Sequence, residues 1–199
     1  MALAVTAIAK FIVMDWLGMR AFFIIATGFF WLWYGRYRYL HEKSILEYWG
    51  FKRDNFLDSW KVLLPFFLVS TFLAALYALN NGISVDNPHL IPILILYPIW
   101  GLTQQFIFLC IITLNLQQLK FFSGNTRIIY LAVPVLFSMI HYPDPYLMGI
   151  TFIMEIVFMI TFMKWRNIWA IGLAHGGIAA FVLFYIFNRD LWKELFAWF

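Results

Sequence analysis

Several side chains able to do proton or hydrogen-bond chemistry stand inside long apolar stretches of this chain. They are the pair Gln104-Gln105, Asn115, His141, Glu155 and His175. A polar group in hydrocarbon is costly unless it finds a partner, so each is a functional candidate by default. A glutamate can serve as a general base, and an imidazole can donate, accept or shuttle a proton near neutral pH. A carboxamide can hold a water or a carbonyl by hydrogen bonds, but it cannot accept a proton at neutral pH. Counted from the flanking loops, Gln104, Glu155 and His175 fall at similar depth, whereas His141 falls nearer one surface. Gln104 and Asn115 lie eleven residues apart, about three α-helical turns, which puts them on one helix face. Each candidate has a plainer alternative. Gln105 and Asn115 could be hydrogen-bonded glue between helices. The two histidines could be bonded core residues, and Glu155 could be an uncharged structural one. Cys110 reads as a small buried hydrophobe. His41 and His89, at loop edges, read as carrying no chemistry.

The elements that must position these groups follow from composition. The chain has 199 residues, 64% hydrophobic and only 12% charged, against roughly 25% charged in soluble domains. A soluble fold of this length could not bury so much apolar surface, so the bilayer is the expected solvent. The aromatic share of 22% suits wide interfacial belts. Disordered, collagen-like, coiled-coil and disulfide-scaffold readings are excluded, and one cysteine can form neither an internal disulfide nor a thiolate metal cage. The net charge of +4 fits loop cations facing an anionic leaflet rather than a nucleic-acid surface.

A spanning helix needs about 20 mostly apolar residues. Six are predicted: Trp16–Tyr34, Val62–Leu79, Leu90–Leu116, a short Ile128–His141, Tyr146–Met163 and Asn167–Phe187. The expected fold class is therefore all-α: a polytopic transmembrane bundle of about six spans plus interfacial helices, forming one integral-membrane domain over residues 1–199. Residues 1–14 lie in the interface or extend the first helix, and their flank does not resemble a signal peptide. Loop one, over Leu40–Ser59, reads as an elbow on the membrane surface, and the tail Asn188–Phe199 as lying on the opposite surface. Pro92, Pro98 and Pro134 weaken the helices that hold them. Pro143 and Pro145 mark a tight turn after His141, and Gly176 and Gly177 would let a neighbouring helix come close to His175. Arg36, Arg38, Lys43, Lys52, Arg53, Lys61, Lys120, Arg127, Lys164 and Arg166 occupy loops one, three and five. Only Lys10, Arg189 and Lys193 flank the other side, with Arg20 inside the first span. The positive-inside rule then predicts loops 35–61, 120–127 and 164–166 in the cytoplasm and both termini outside.

Gln104-Gln105-Phe106-Ile107-Phe108, then Phe137-Ser138-Met139-Ile140-His141, then His175 resemble, in order and spacing, the motifs of the CAAX protease and bacteriocin-processing family of intramembrane peptidases. Glu47–Arg53, His141–Gly149 and Arg166–His175 resemble that family's connecting stretches, and the likeness covers about residues 44–187. The family pattern is a Glu-Glu pair followed by Phe and Arg, then Phe-x-x-x-His, then His with Asn or Asp four residues later. This chain departs from it: the Glu pair is Gln104-Gln105, the Arg position is Leu109 and the last position is Ala179. Phe108, Phe137, His141 and His175 follow the pattern. In the family, the resemblance implies, a Glu activates water while the histidines and Asn bind the oxyanion. Residue by residue, only the histidines carry that chemistry over.

Three readings stay open from the sequence. In the first, the chain is a divergent intramembrane endopeptidase in which Glu155 replaces the missing carboxylate and faces His175, with His141 and Gln104 completing the catalytic set. In the second, it is a catalytically silent relative, a scaffold, immunity or accessory protein binding a hydrophobic chain in the same cavity. In the third, His141, His175 and Glu155 hold a divalent metal, against which the depth offset of His141 argues. Gln105, Phe108, Phe137 and Asn115 are the candidate substrate-binding residues. No cofactor and no nucleic-acid partner are expected. The partners are the bilayer and, by resemblance, a hydrophobic or lipid-modified peptide or membrane-protein substrate. The corresponding location is a bacterial or archaeal inner (plasma) membrane.

Overall fold

Long apolar stretches leave the backbone no hydrogen-bond partner in hydrocarbon except itself, so they become helices. The computed structural model describes residues 1–120 and 126–196, and among these every regular element is helical. In chain order they are α1 (Ala2–Ala9), a π-helical turn (Lys10–Trp16), α2 (Arg20–His41), α3 (Ile45–Tyr48), α4 (Phe56–Asn80) and α5 (Leu90–Gln105). A π-helix (Phe106–Thr113) and α6 (Leu114–Gln118) continue the α5 rod. A 3-10 turn (Thr126–Ile128), α7 (Ile129–Met139), α8 (Pro145–Trp165), α9 (Ile168–Tyr185) and α10 (Leu191–Phe196) complete the chain. Trp198 and Phe199, which the sequence assigns to the tail, lie outside the described residues, as does part of loop three.

The fold is the expected helical membrane bundle. By length and composition four helices can cross a membrane: Phe56–Asn80, Leu90–Gln118, Pro145–Trp165 and Ile168–Tyr185. The other two predicted spans are present as helices but fall short. α2 is long enough, yet its last turns carry Arg36, Arg38 and His41. α7 has only 11 residues. The predicted start of the first span at Trp16 moves to Arg20, because Gly18 takes a left-handed conformation (φ +70°) that ends the preceding turn. Pro92 and Pro98 do not interrupt the third span, which runs unbroken for 29 residues.

Helix α9 is the most buried of the four and packs on α5 and α4, while α8 packs on α7 and α4. The α9–α5 contact is made backbone to backbone. A Cβ added at Gly176 would stand 2.4 Å from Pro98 Cα and N, and one at Gly172 would stand 2.9 Å from Leu102 Cα. Gly101 faces both glycines from the other side. Small residues at this spacing let two helices approach without hydrophobic help from water. Gly177 meets a different neighbour, the Phe67 ring of α4.

Loop one is clamped against the turn between α8 and α9. Asn167 is fully buried there. Its Nδ2 donates to the carbonyls of Lys52 (2.8 Å) and Asp54 (2.9 Å), while its Oδ1 accepts from Ala170 N and caps α9. The Ile168 N–H donates to Gly50 O at 3.1 Å. Ile45 and Trp49 of the elbow are buried, so it is anchored into the bundle as well as lying across its end. The outward faces of α2, α4 and α5 expose Phe22, Phe29, Leu32, Leu68, Phe72, Ile91 and Ile95, the apolar coat that a lipid-facing surface requires.

Candidate active site

The π-helix begins one residue after Gln105. An i→i+5 turn inside a rod rotates everything beyond it, a device often found at functional sites. Before it, Gln104 and Gln105 point apart as successive residues of an α-helix do: Gln104 lines a cavity, and Gln105 is fully buried. The helical count that put Asn115 on the face of Gln104 fails across the π-turns. Asn115 is exposed, and its Nδ2 donates to Ile111 O at 2.6 Å within its own helix. The structure does not bring Asn115 to the cavity.

Gln105 is the link between the other polar groups. Its Nε2 donates to Glu155 Oε2 (2.7 Å) and to His175 Nδ1 (3.0 Å). An amide nitrogen only donates, so His175 Nδ1 accepts, and in the neutral ring the proton sits on Nε2. His175 lines the cavity, and Nε2–H is the donor left to face it. His141 has the opposite polarity. Its Nδ1 lies 2.9 Å from Phe137 O. A carbonyl only accepts, so Nδ1 carries the proton and Nε2 is left with a lone pair. The cavity wall thus presents one imidazole donor and one imidazole acceptor.

Both rings are held by one phenylalanine. Phe137, fully buried, meets His141 edge-on at 5.1 Å, His175 at 5.6 Å and Phe108 at 5.0 Å between centroids. Phe158 also stacks on His175, at 5.8 Å between centroids. The spacing Phe-x-x-x-His puts Phe137 one turn before His141 on α7, and the same ring reaches His175 on α9. Edge-to-face contacts of this kind are directional as well as apolar.

Glu155 is fully buried and, with Gln105, does not line the cavity. Gln105 stands between it and His175, so the direct facing of Glu155 and His175 expected from the sequence becomes a carboxyl–amide–imidazole chain. Glu155 Oε1 and Gln105 Oε1 are buried with no hydrogen-bond partner among the described residues. Nor do three His, Cys, Asp or Glu side chains come together as a metal-ligand set among those residues, so the two imidazoles and Glu155 do not converge as the third reading requires.

The cavity has a volume of about 330 Å³. Its polar lining includes Gln104, His141 and His175, and its walls are largely apolar, including Phe108, Ile107, Met154, Ile178 and Ala179. Ala179 stands where the resemblance expects Asn or Asp, so a methyl group replaces an amide at that wall. Leu109, at the expected Arg position, is buried in the core. Leu3, Thr6, Ala7 and Met14 of the N-terminal segment also line the cavity, and its mouth carries Lys10, Asp15, Arg20, Asp144, Arg189 and Glu194. The sequence reading missed this mouth. Its one signal was Arg20, a cation interrupting an apolar segment.

Residues 86–181 match the family model described as "Rce1-like: Type II CAAX prenyl endopeptidase Rce1-like". The match holds every cavity and relay residue of α5, α7, α8 and α9 named above, and is narrower than the 44–187 likeness read from the sequence. No curated protein and no solved structure matches the chain.

Proposed function

We propose that this CAAX-protease-like membrane protein binds a hydrophobic or lipid-modified peptide in the cavity, and that binding, not hydrolysis, is its principal activity. The observation that carries this reading is the position of Glu155. The carboxylate at the depth of the histidines lies behind Gln105, outside the cavity wall. A general base must come within hydrogen-bond reach of the water it activates, and Gln104, which does reach the cavity, cannot take up a proton. The apolar wall accommodates the lipid or side-chain part of the ligand. His175 Nε2–H and the Gln104 amide receive a peptide carbonyl.

A second reading has one observation in its favour. His141 Nε2 is an unprotonated nitrogen on the same wall as the His175 donor. It could take the proton of a water while His175 holds the carbonyl oxygen.

The deciding experiment uses the full chain in nanodiscs with a fluorescent farnesylated heptapeptide. The binding reading expects saturable binding, the peptide recovered intact by mass spectrometry, and an affinity loss on the order of tenfold for Gln104→Ala or His175→Ala, the scale of one buried hydrogen bond. Cleaved peptide that disappears with His141→Gln selects the second reading. Absence of saturable binding refutes both.

A further inference from the structure

The charges at the cavity mouth are not distributed evenly. Lys10 is neutralised by Asp15, with Nζ and Oδ2 2.6 Å apart. Asp144 is occupied as the N-cap of α8, its Oδ1 accepting from Tyr146 N and Leu147 N, both at 3.0 Å. The Asp144 charge acts on Arg189 without contacting it by any hydrogen bond or ion pair among the described residues, whereas two arginines share the Glu194 carboxylate in direct contact. Arg189 Nε donates to Glu194 Oε1 at 2.8 Å and Nη2 to Oε2 at 2.6 Å, a two-pronged contact. Arg20 Nη1 donates to the same Oε2. All three residues line the cavity that holds His141 and His175. Planar, bidentate recognition is what a guanidinium does best, and its partners are carboxylates and phosphates.

Glu194 belongs to α10, a helix of six residues. Leu191 and Leu195 of that helix also line the cavity, and the helix packs on α2 and α5. Too short to be stable alone, it is held by this carboxylate, by Leu191 and by Asp190, whose Oδ2 meets His89 Nδ1 at 2.8 Å.

We propose that Arg20 and Arg189 form an oxyanion subsite at the cavity mouth, that Glu194 fills it as a built-in stand-in, and that an anionic amphiphile enters by displacing Glu194 and lifting α10. The ligand chemistry is a phosphate or carboxylate borne on an apolar chain, from a lipid headgroup or from the free end of a chain. The Arg189 guanidinium and the Glu194 carboxyl hold each other charged. Burial alone would raise the Glu194 carboxyl, but the hydrogen bonds and charges of Arg189 and Arg20 together outweigh it, so Glu194 stays below the ordinary carboxylate range, and Arg189 is correspondingly raised. The subsite is therefore fully ionised at neutral pH and offers an entering anion a direct exchange of one oxyanion for another.

The test measures the motion of α10, so it stands apart from whether the protein binds or cleaves a peptide. The full chain is placed in phosphatidylcholine nanodiscs with Cys110→Ser removing the buried thiol and Leu195→Cys placing one on the cavity side of α10. The rate of modification by a water-soluble maleimide reports lifting. Dodecyl phosphate or dodecanoate is expected to speed modification on the order of tenfold, the scale of one charge-assisted hydrogen bond, and dodecanol to leave it unchanged. Glu194→Gln should be modified fast without any amphiphile. Arg20→Gln with Arg189→Gln should start fast and respond to neither anion. Acceleration by the phosphate alone points to a lipid headgroup, and by the carboxylate alone to a chain terminus. Equal rates with anions and dodecanol, or a Glu194→Gln rate no faster than its parent, overturn the proposal. Trypsin cleavage after Lys193 in the otherwise unaltered chain gives the same readout should Leu195→Cys fail to fold.

Discussion

At the scale of single residues, the site is governed by how few donors serve how many acceptors. The two N–H bonds of Gln105 reach Glu155 and His175, while Gln105 Oε1 and Glu155 Oε1 are left over as two unpaired acceptors. An amide at position 155 would supply the missing donor and keep the acceptor that Gln105 Nε2 already uses. Glu155→Gln is thus expected to fold at least as stably as the parent, measured by thermal unfolding in detergent. Glu155→Leu should lose about 1–3 kcal/mol, the cost of a stranded buried polar group. Loss of folding in Glu155→Gln would show that the carboxyl has a role the amide cannot fill. Phe137 is the other dependency, because one ring orients both imidazoles. Phe137→Ala should destabilise the bundle by on the order of 3 kcal/mol. Phe137→Leu should restore most of the stability but not the imidazole orientation, so NMR signals of both histidines should shift in either variant. A shift confined to His141 would refute the shared support.

Among the elements, the pairing of α9 with α5 sets the distance between His175 and Gln105. Gly176 meets backbone atoms of Pro98 that cannot move aside. Gly176→Ala should push the two helices apart and cost about 1–3 kcal/mol, with Gly149→Ala as the control, because a Cβ there meets nothing within 4 Å. Equal melting temperatures for the two variants would refute the close approach. A second element-level expectation concerns α10. Glu194 is held below the ordinary carboxylate range although burial opposes it, because Arg189 and Arg20 donate to it. A carboxyl lowered in the docked state contributes stability above its free pKa and loses it as pH falls through the lowered value. Asp190, beside His89 and Lys193, is lowered too and acts in the same sense. Protection of the α10 amides against hydrogen exchange, relative to the intrinsic rate at each pH, should therefore hold at neutral pH and fall once the medium is more acidic than the ordinary carboxylate range. A flat profile would contradict it. Elements were also where sequence reading succeeded and failed most clearly. Apolar runs such as Val62–Leu79 and Tyr146–Met163 foretell helices, because hydrocarbon permits little else, and the Phe137/His141 and Gly176 spacings foretell real contacts. The π-turns after Gln105 were not legible, since Phe106–Thr113 is as apolar as any α-helical run. They moved Asn115 off the face it was expected to share with Gln104. The Arg20–Arg189–Glu194 group was invisible for another reason: Arg189 and Glu194 are near neighbours in sequence, but Arg20 joins them only by tertiary packing of the two ends of the chain.

For the molecule as a whole, the two ends of the bundle have different jobs. One end holds the elbow, fixed by Asn167 to the carbonyls of Lys52 and Asp54, and it collects the lysines and arginines of loops one and five. The other end holds the cavity mouth, with Asp144, Tyr142 and both terminal helices. The positive-inside rule acts on short basic loops close to the spans. Applied here, it predicts that the elbow faces the cytoplasm and that the cavity opens on the opposite side. A peptidase of the resembling family is expected to be reached from the cytosol, so orientation separates descent from present use. The measurement is labelling of single cysteines in intact cells, in a Cys110→Ser background, with a membrane-impermeant reagent. Tyr146→Cys replaces an exposed residue beside the mouth, and Lys43→Cys one at the elbow. The charge argument expects Tyr146→Cys to react in intact cells and Lys43→Cys only after permeabilisation. It also expects Lys43→Glu combined with Lys52→Glu and Arg53→Glu to blur that difference, because the orienting cations are then gone. The reverse pattern would place the mouth in the cytoplasm. Anionic amphiphiles would then enter from the leaflet richest in anionic lipid, and the Arg20–Arg189 subsite would face that supply directly.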